Sequence, residues 1–319
     1  MTATTAAEAA ARVASGTQVP MLLGALLPND EVDFSTQDLI HWIRAAESAG
    51  LHHVVLADHV LGADPTATPE WGTQWSGTSN VGPYTTADVF REPFVLMGYL
   101  AALCTLELMT GILILPQRQT ALVAKQAAEI DRLTQGRTRL GVGVGWNPVE
   151  FEALGRPFHR RGALIEEQVA LLRQFWTQDV VRFSGEFHSI PPSGIQRLPV
   201  QRPIPIWMGG EAPKVLERIG RCADGWFLFS KVRPGAEFAE SLAVVRRSAV
   251  EAGRDPDSIG TEPRLVIGDR SDAAIRADVR AWRDLGATHL CLDTRFGGRD
   301  PRAHADALAR FTDLVRSVG

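Results

Sequence analysis

Thr138-Arg139-Leu140-Gly141-Val142-Gly143-Val144-Gly145-Trp146-Asn147-Pro148-Val149-Glu150-Phe151 is the stretch on which the fold turns. It opens as a strand and then places glycine at alternate positions, which strips one strand face of side chains. A flat cofactor or another backbone can approach such a face closely. A dinucleotide fingerprint would read Gly-x-Gly-x-x-Gly and run straight into a helix. Here the spacing is Gly-x-Gly-x-Gly, and Trp146, Asn147 and Pro148 follow. A dinucleotide-binding Rossmann fold is therefore disfavoured.

Working outward, short β-branched runs alternate with longer amphipathic stretches, the pattern of repeated βα units on a parallel sheet. Strands are predicted near residues 21–26, 53–57, 108–115, 138–144, 204–208, 225–229, 264–267 and 289–292. Helices are predicted over 36–49, 88–103, 122–133, 160–176, 213–222, 236–252, 272–285 and 302–315. Ser35 and Ser271 stand where N-caps belong, and Gly50, Gly136, Gly253 and Gly286 where a left-handed C-cap favours glycine. Eight βα units suit a closed ring better than an open doubly wound sheet. The expected fold is thus an α/β (β/α)8 TIM barrel with loop insertions after strand 2 and after helix 4. The first insertion, 60–86, reads as a lid over the C-terminal mouth or as a decorative loop; the second, 179–202, holds a short hairpin near 180–190.

A chain of 319 residues, 45% hydrophobic and 22% charged, fits a single domain over 18–319 preceded by a flexible arm over 1–17. The arm carries Glu8 and Arg12 and lacks the apolar run of a secretory signal. No stretch of about 18 apolar residues predicts a spanning helix, so a cytoplasmic protein without a membrane partner is expected. The net charge of −4 offers no basic surplus for nucleic acid. Cys104, Cys222 and Cys291 match neither a disulfide framework nor a zinc site, and are expected to be reduced, buried and inert. No strand end offers a His-x-His or clustered carboxylate set, which argues against a metal-dependent hydrolase.

Three places could carry chemistry. Asp58 and His59 end strand two, where a barrel directs side chains into its mouth; an exposed loop histidine is the plain alternative. The second place is the glycine-rich stretch already quoted. The third, Trp207-Met208-Gly209-Gly210-Glu211-Ala212-Pro213-Lys214, ends a strand in two glycines ahead of a helix that Pro213 can start. Free amides there can bind phosphate, or the glycines can simply make a tight turn. Trp71, Trp75, Tyr84 and Phe90 could line an apolar substrate pocket or anchor the lid.

Leu113-Ile114-Leu115-Pro116, then Ala124-Lys125-Gln126, Asp131-Arg132-Leu133, Gly136-Arg137 and the stretch from Gly141 to Gly155 follow one another in order. With Pro205-Ile206-Trp207-Met208-Gly209-Gly210 and Ala223-Asp224-Gly225-Trp226, this series resembles the luciferase-like monooxygenase family of flavin- and F420-dependent oxidoreductases. The resemblance implies F420 as cofactor, with FMN as the alternative, and hydride transfer to or from a small organic substrate. It puts Asp58 and His59 at the ring, His59 as the catalytic candidate. It places Gly111, Ile112 and Leu113 behind the ring, at a bulge that carries a non-proline cis peptide in relatives. Gly143, Gly145 and Trp146 would border the ring, and Gly209 and Gly210 would hold the cofactor phosphate.

The sugar-phosphate dehydrogenase branch has a catalytic Glu where this chain has Trp146, so sugar-phosphate oxidation is not expected. Ser230 and Lys231 could meet an anionic substrate, although Lys231 equally suits a solvated loop. The resemblance also implies a homodimer and, for the flavin reading, a partner reductase. A barrel that binds a cofactor or ligand without catalysis is the reading from another class.

Overall fold

A computed structural model of the chain describes residues 21–64, 66–67 and 84–318. The expected arm, most of the lid and both Trp71 and Trp75 lie outside the described residues.

The strands are β1 (Leu22–Leu26), β2 (His53–Leu56), β3 (Glu107–Thr110), β4 (Leu113–Ile114), β5 (Thr138–Gly143), β6 (Val181–Ser184), β7 (Ser189–Ser193), β8 (Ile206–Gly209), β9 (Gly225–Phe227), β10 (Gly260–Glu262), β11 (Arg264–Val266) and β12 (His289–Asp293). Between them run α1 (Thr36–Ser48), α2 (Pro93–Ala101), α3 (Thr120–Leu133), α4 (Pro148–Ala153), α5 (Arg161–Thr177), α6 (Pro213–Cys222), α7 (Ala236–Glu251), α8 (Asp272–Asp284) and α9 (Pro301–Arg316).

The large sheet runs β10-β9-β8-β5-β3-β2-β1-β12-β11 with every pairing parallel, and β4 pairs β5 beside β3. Its two terminal strands, β10 and β11, are consecutive in the chain with only Pro263 between them. Proline has no N–H to give a ladder, so one stave is split in two. The ring closes through that residue, and with β3 and β4 counted as one interrupted stave the barrel has eight. β6 and β7 form the separate antiparallel hairpin expected after helix 4.

Local chemistry accounts for the boundaries. Ser35 and Asp38 form a reciprocal capping box at α1, and the Ser271 side chain accepts from Ala274 N at α8. Gly50, Gly136, Gly253 and Gly286 all have positive φ. Helix two is shorter than the predicted 88–103, because the Glu92 side chain accepts from Val95 N and Pro93 occupies the first turn. The predicted third strand is broken: Gly111–Ile112 is a cis peptide that separates β3 from β4. An unpredicted helix, α4, starts at Pro148, where Asn147 accepts from the amides of Val149 and Glu150. Cys104 and Cys291 are buried free thiols, but Cys222 is only half-buried.

Leu26, Val55, Met109, Trp207, Phe227 and Cys291 form a lumenal layer across the barrel. Beneath it, at the N-terminal strand ends, lies a charged floor. His53 Nε2 is 2.6 Å from Glu262 Oε1, Arg139 Nη1 donates to Glu262 Oε2 at 2.8 Å, and Arg139 Nε also donates to Glu107. Arg139 lies over the Trp207 ring at 4.5 Å. Gly24 makes room for this floor, since a Cβ there would meet the His53 ring at 2.1 Å. Among the described residues one group of potential metal ligands comes together, His52, His53 and Glu107, within 4.8 Å of one another. It belongs to this floor, away from the mouth, and the Arg139 guanidinium already engages Glu107.

His304, on α9, is fully buried, with Thr294 Oγ1 at 2.8 Å from Nδ1 and no hydrogen bond at Nε2. Burial, helped by the Arg299 charge, lowers its pKa to about 4. The unfolded chain therefore takes up a proton, near pH 6.5, before the folded one does. The stabilisation is complete above about pH 6.5 and is lost as pH falls toward 4, by at most about 3 kcal/mol. Urea unfolding midpoints at pH 7 and pH 5 should show the loss, and His304→Gln, which cannot bind that proton, should reduce it, the remainder belonging to His289 and His52, whose pKa values burial also lowers. An equal pH slope in that variant rules the assignment out.

Candidate active site

The mouth is built where β2, the β3–β4 break and β5 end. Asp58 follows β2 but does not face open space. Its Oδ2 accepts from Ile114 N at 3.1 Å and its Oδ1 from Arg118 Nη2 at 2.8 Å. Burial raises this carboxyl above the ordinary carboxylate range, against the Arg118 charge and the Ile114 N–H. Asp58 thus pins the chain just beyond the cis peptide and fixes the bulge.

His59 leaves the same strand end toward Glu150. Its Nδ1 lies 3.3 Å from Glu150 Oε1, which also accepts from Val60 N at 2.7 Å and Leu61 N at 3.2 Å; Gln117 Nε2 donates to Oε2 at 3.0 Å. Burial alone would raise the Glu150 carboxyl, but the hydrogen bond and charge of His59, with Gln117 and Leu61 N, outweigh it and hold it below its ordinary value. An ionised Glu150 accepts only, so the hydrogen-bond network assigns a proton to His59 Nδ1. Nε2 then carries the exchangeable position, with no hydrogen-bond partner among the described residues. The imidazole sits against Tyr84 at 3.9 Å, Phe90 at 4.9 Å and Trp146 at 6.3 Å between ring centroids. Asn147 Nδ2 donates to the Tyr84 hydroxyl at 2.6 Å, which ties this aromatic group to the start of α4.

The alternate glycines of β5 have a definite use. A Cβ at Gly141 would meet Thr110 O at 2.0 Å, one at Gly143 would meet Ile112 Cδ1 at 2.0 Å, and one at Gly145 would meet Ile114 Cγ2 at 2.5 Å. Each glycine receives a successive inward residue of the broken stave. Another chain segment thus approaches this stretch closely. Gly143 and Gly145 therefore reach the mouth through Ile112 and Ile114. Leu113 is wholly buried, while Ile112 is half-buried and lies across both Gly143 and Gly209. Gly111 N donates to Leu56 O at 2.7 Å, holding the bulge against β2.

Gly209 ends β8 and Gly210 has φ +133°. The next helix, α6, starts with Pro213 and has no side-chain cap from Ala212. Beside it, Glu211 forms an ion pair with Lys231 at 2.9 Å. Lys231 is therefore tied to a carboxylate at the β8 end, and half-buried Ser230 precedes it in the turn after β9.

Sequence reasoning quoted Glu150 without giving it a role. The signal was present: Asn147-Pro148-x-Glu150 is a helix start, and the third helical position can turn a carboxylate back toward the preceding loop. Gln117 and Arg118 had no such mark.

These features can be set beside known proteins. The model of the luciferase-like monooxygenase family matches residues 10–316. An uncharacterized Mycobacterium tuberculosis protein is 37% identical over 207 residues, which are 65% of this chain and 68% of the relative. A phthiodiolone/phenolphthiodiolone dimycocerosates ketoreductase of Mycobacterium kansasii is 32% identical over 222 residues, 67% of this chain and 59% of the relative. Two solved structures share the fold. The monooxygenase RslO1 from Streptomyces bottropensis has a TM-score of 0.70 at 19% identity, covering 93% of this chain and 99% of its own. An F420-dependent secondary alcohol dehydrogenase in complex with an F420–acetone adduct has a TM-score of 0.71 at 17% identity, covering 93% and 100%.

A family match over nearly the whole chain means that this protein belongs to the luciferase-like monooxygenase family. It is an oxidoreductase on a TIM barrel. Among the described residues no helix is long and apolar enough to cross a membrane.

Proposed function

We propose that the protein is an F420-dependent oxidoreductase acting on a small organic carbonyl or alcohol, with His59 as its catalytic residue. The observation that carries this reading is the placement of His59. It is oriented by a buried, ionised Glu150, enclosed by aromatic rings, and stands at the same mouth as the cis Gly111–Ile112 bulge. The M. kansasii ketoreductase and the F420-dependent alcohol dehydrogenase among the relatives support carbonyl chemistry.

The residues present suit a planar cofactor. Ile112 offers an apolar surface backed by Gly143 and Gly209, and Asp58 fixes that surface from behind. Gly209, Gly210 and the uncapped first turn of α6 present backbone amides where a phosphate would sit. When bound, the deazaflavin supplies the hydride-transferring carbon. The chain's own part is to hold that ring against Ile112, to exclude water with Tyr84, Phe90 and Trp146, and to move a proton at His59 Nε2. Glu150 keeps the imidazole in the tautomer and orientation that task needs.

FMN is the second reading, since RslO1 is named a monooxygenase and a riboflavin lyase structure with modified FMN shares the fold at a TM-score of 0.63. That reading would call for a reductase partner. A homodimer and a cytoplasmic location also belong to this proposal, and size-exclusion chromatography tests the first.

Titrating the purified protein with F420 and with FMN separates the readings. F420 should bind and FMN should not, and His59→Ala should keep F420 affinity while lowering alcohol or ketone turnover by about 10²-fold or more. Tight FMN binding without F420 binding overturns the cofactor, and unchanged turnover in His59→Ala overturns the residue.

A further inference from the structure

Inside the barrel, the Arg264 guanidinium has a ring contact but, among the described residues, no hydrogen bond or ion pair. Arg264 opens β11 in register with Cys291, which belongs to the lumenal layer, and its guanidinium lies 5.9 Å from the centre of the Phe227 ring. Its side chain is therefore directed into the lumen, above the layer that separates the mouth from the floor. Nε is buried and has no hydrogen bond, and among the described residues no hydrogen bond or ion pair engages this side chain.

The nearby carboxylates are already taken. Arg295 holds Asp293 at both oxygens, at 2.9 and 2.8 Å, and also binds Asp30. Burial disfavours the charge on Arg264, and Asp293 offsets this only from a distance. Arg264 is half-buried, and its Nε, sealed from solvent without an acceptor, is a donor that is costly to leave unpaired. A ligand oxyanion removes that cost, and the planar fork matches a carboxylate or phosphate in two parallel hydrogen bonds.

We propose that Arg264 anchors an oxyanionic group of the substrate, making this enzyme selective for carbonyl or alcohol substrates that also carry a carboxylate or phosphate over neutral ones. The inference rests on the mouth being the site of F420 chemistry, and it goes beyond that reading by naming the substrate's charged group. Arg264 is a binding and specificity residue in this scheme, while His59 handles the proton.

The same donors could instead meet a carbonyl of the cofactor ring, so the test has two arms. F420-loaded wild type and Arg264→Met are titrated with acetate and with inorganic phosphate, read by cofactor fluorescence, after the F420 affinity of each has been measured. The expected result is equal F420 affinity and a 10- to 100-fold weaker anion affinity in Arg264→Met (about the range for charge-assisted hydrogen bonds), with Arg264→Lys recovering part of it. Anion affinity unchanged in Arg264→Met, or no anion binding by wild type, overturns the proposal. So does a loss of F420 affinity confined to the variant, which gives the guanidinium to the ring. If wild type binds no F420, the cofactor reading fails by itself. The anion titration is then repeated on the cofactor-free protein by tryptophan fluorescence, where the same loss supports the anion site and its absence rejects it.

Discussion

Glu262→Ala should lower the unfolding free energy by about 3–5 kcal/mol, the usual cost of breaking a buried ion pair from one side. The substitution leaves Arg139 in the lumen with only the partly exposed Glu107 as a counter-charge, and it removes the acceptor of His53 Nε2. Burial alone would raise the Glu262 carboxyl. The charges of His53 and Arg139, with the His53 hydrogen bond, reverse that and hold it far below the usual carboxylate range. A depressed carboxyl contributes stability that is complete above its unfolded value and is lost only as pH falls through the folded one. The contribution therefore persists into strong acid. Glu262→Gln keeps the shape and an acceptor but not the charge, and should cost less than Glu262→Ala. Urea denaturation at pH 7 measures both, and a loss below about 1 kcal/mol for Glu262→Ala would show that the floor relaxes freely.

A single methyl group should be nearly as damaging at Gly141. Its Cβ would lie 2.0 Å from Thr110 O and 2.8 Å from Met109 Cε, and Thr110 Oγ1 already donates to Gly141 O at 2.7 Å. A flexible side chain can move aside, whereas a backbone carbonyl fixed in a strand cannot without shifting β3 and the bulge after it. Overpacking of this kind is expected to cost Gly141→Ala about 3 kcal/mol. Cofactor affinity should fall as well, because Ile112 moves with the displaced segment. Gly98→Ala is the matched control. Gly98 lies on α2 with its nearest neighbour, Ile130 Cδ1, at 3.7 Å, and alanine there should be neutral or stabilising. Equal thermal midpoints for the two variants would refute the steric account.

The barrel was legible in the sequence because hydrophobic period and cap chemistry agree along most of it. Ser35, Ser271 and the four C-cap glycines mark helix ends that the fold has. What stayed hidden depends on contacts distant in sequence. The alternation at Gly141, Gly143 and Gly145 announced a close approach but not its occupant, since Thr110, Ile112 and Ile114 lie about thirty residues earlier. Asp58 and His59 were recognisable as a mouth pair. That Asp58 turns back to Ile114 and Arg118 while His59 meets Glu150 follows only once β2 and α4 are neighbours. Arg264 looked like the start of a strand because a run of three residues carries no sign of which side faces the lumen.

The seam at Pro263 has a mechanical consequence. Glu262 and Arg264 flank it on one stave, the first anchored to the charged base of the ring and the second reaching toward the opening. Proline's fixed backbone angle couples them as a short stiff lever. A change that loosens Glu262 should therefore also tilt Arg264, so that stability and ligand preference in this enzyme drift together under mutation.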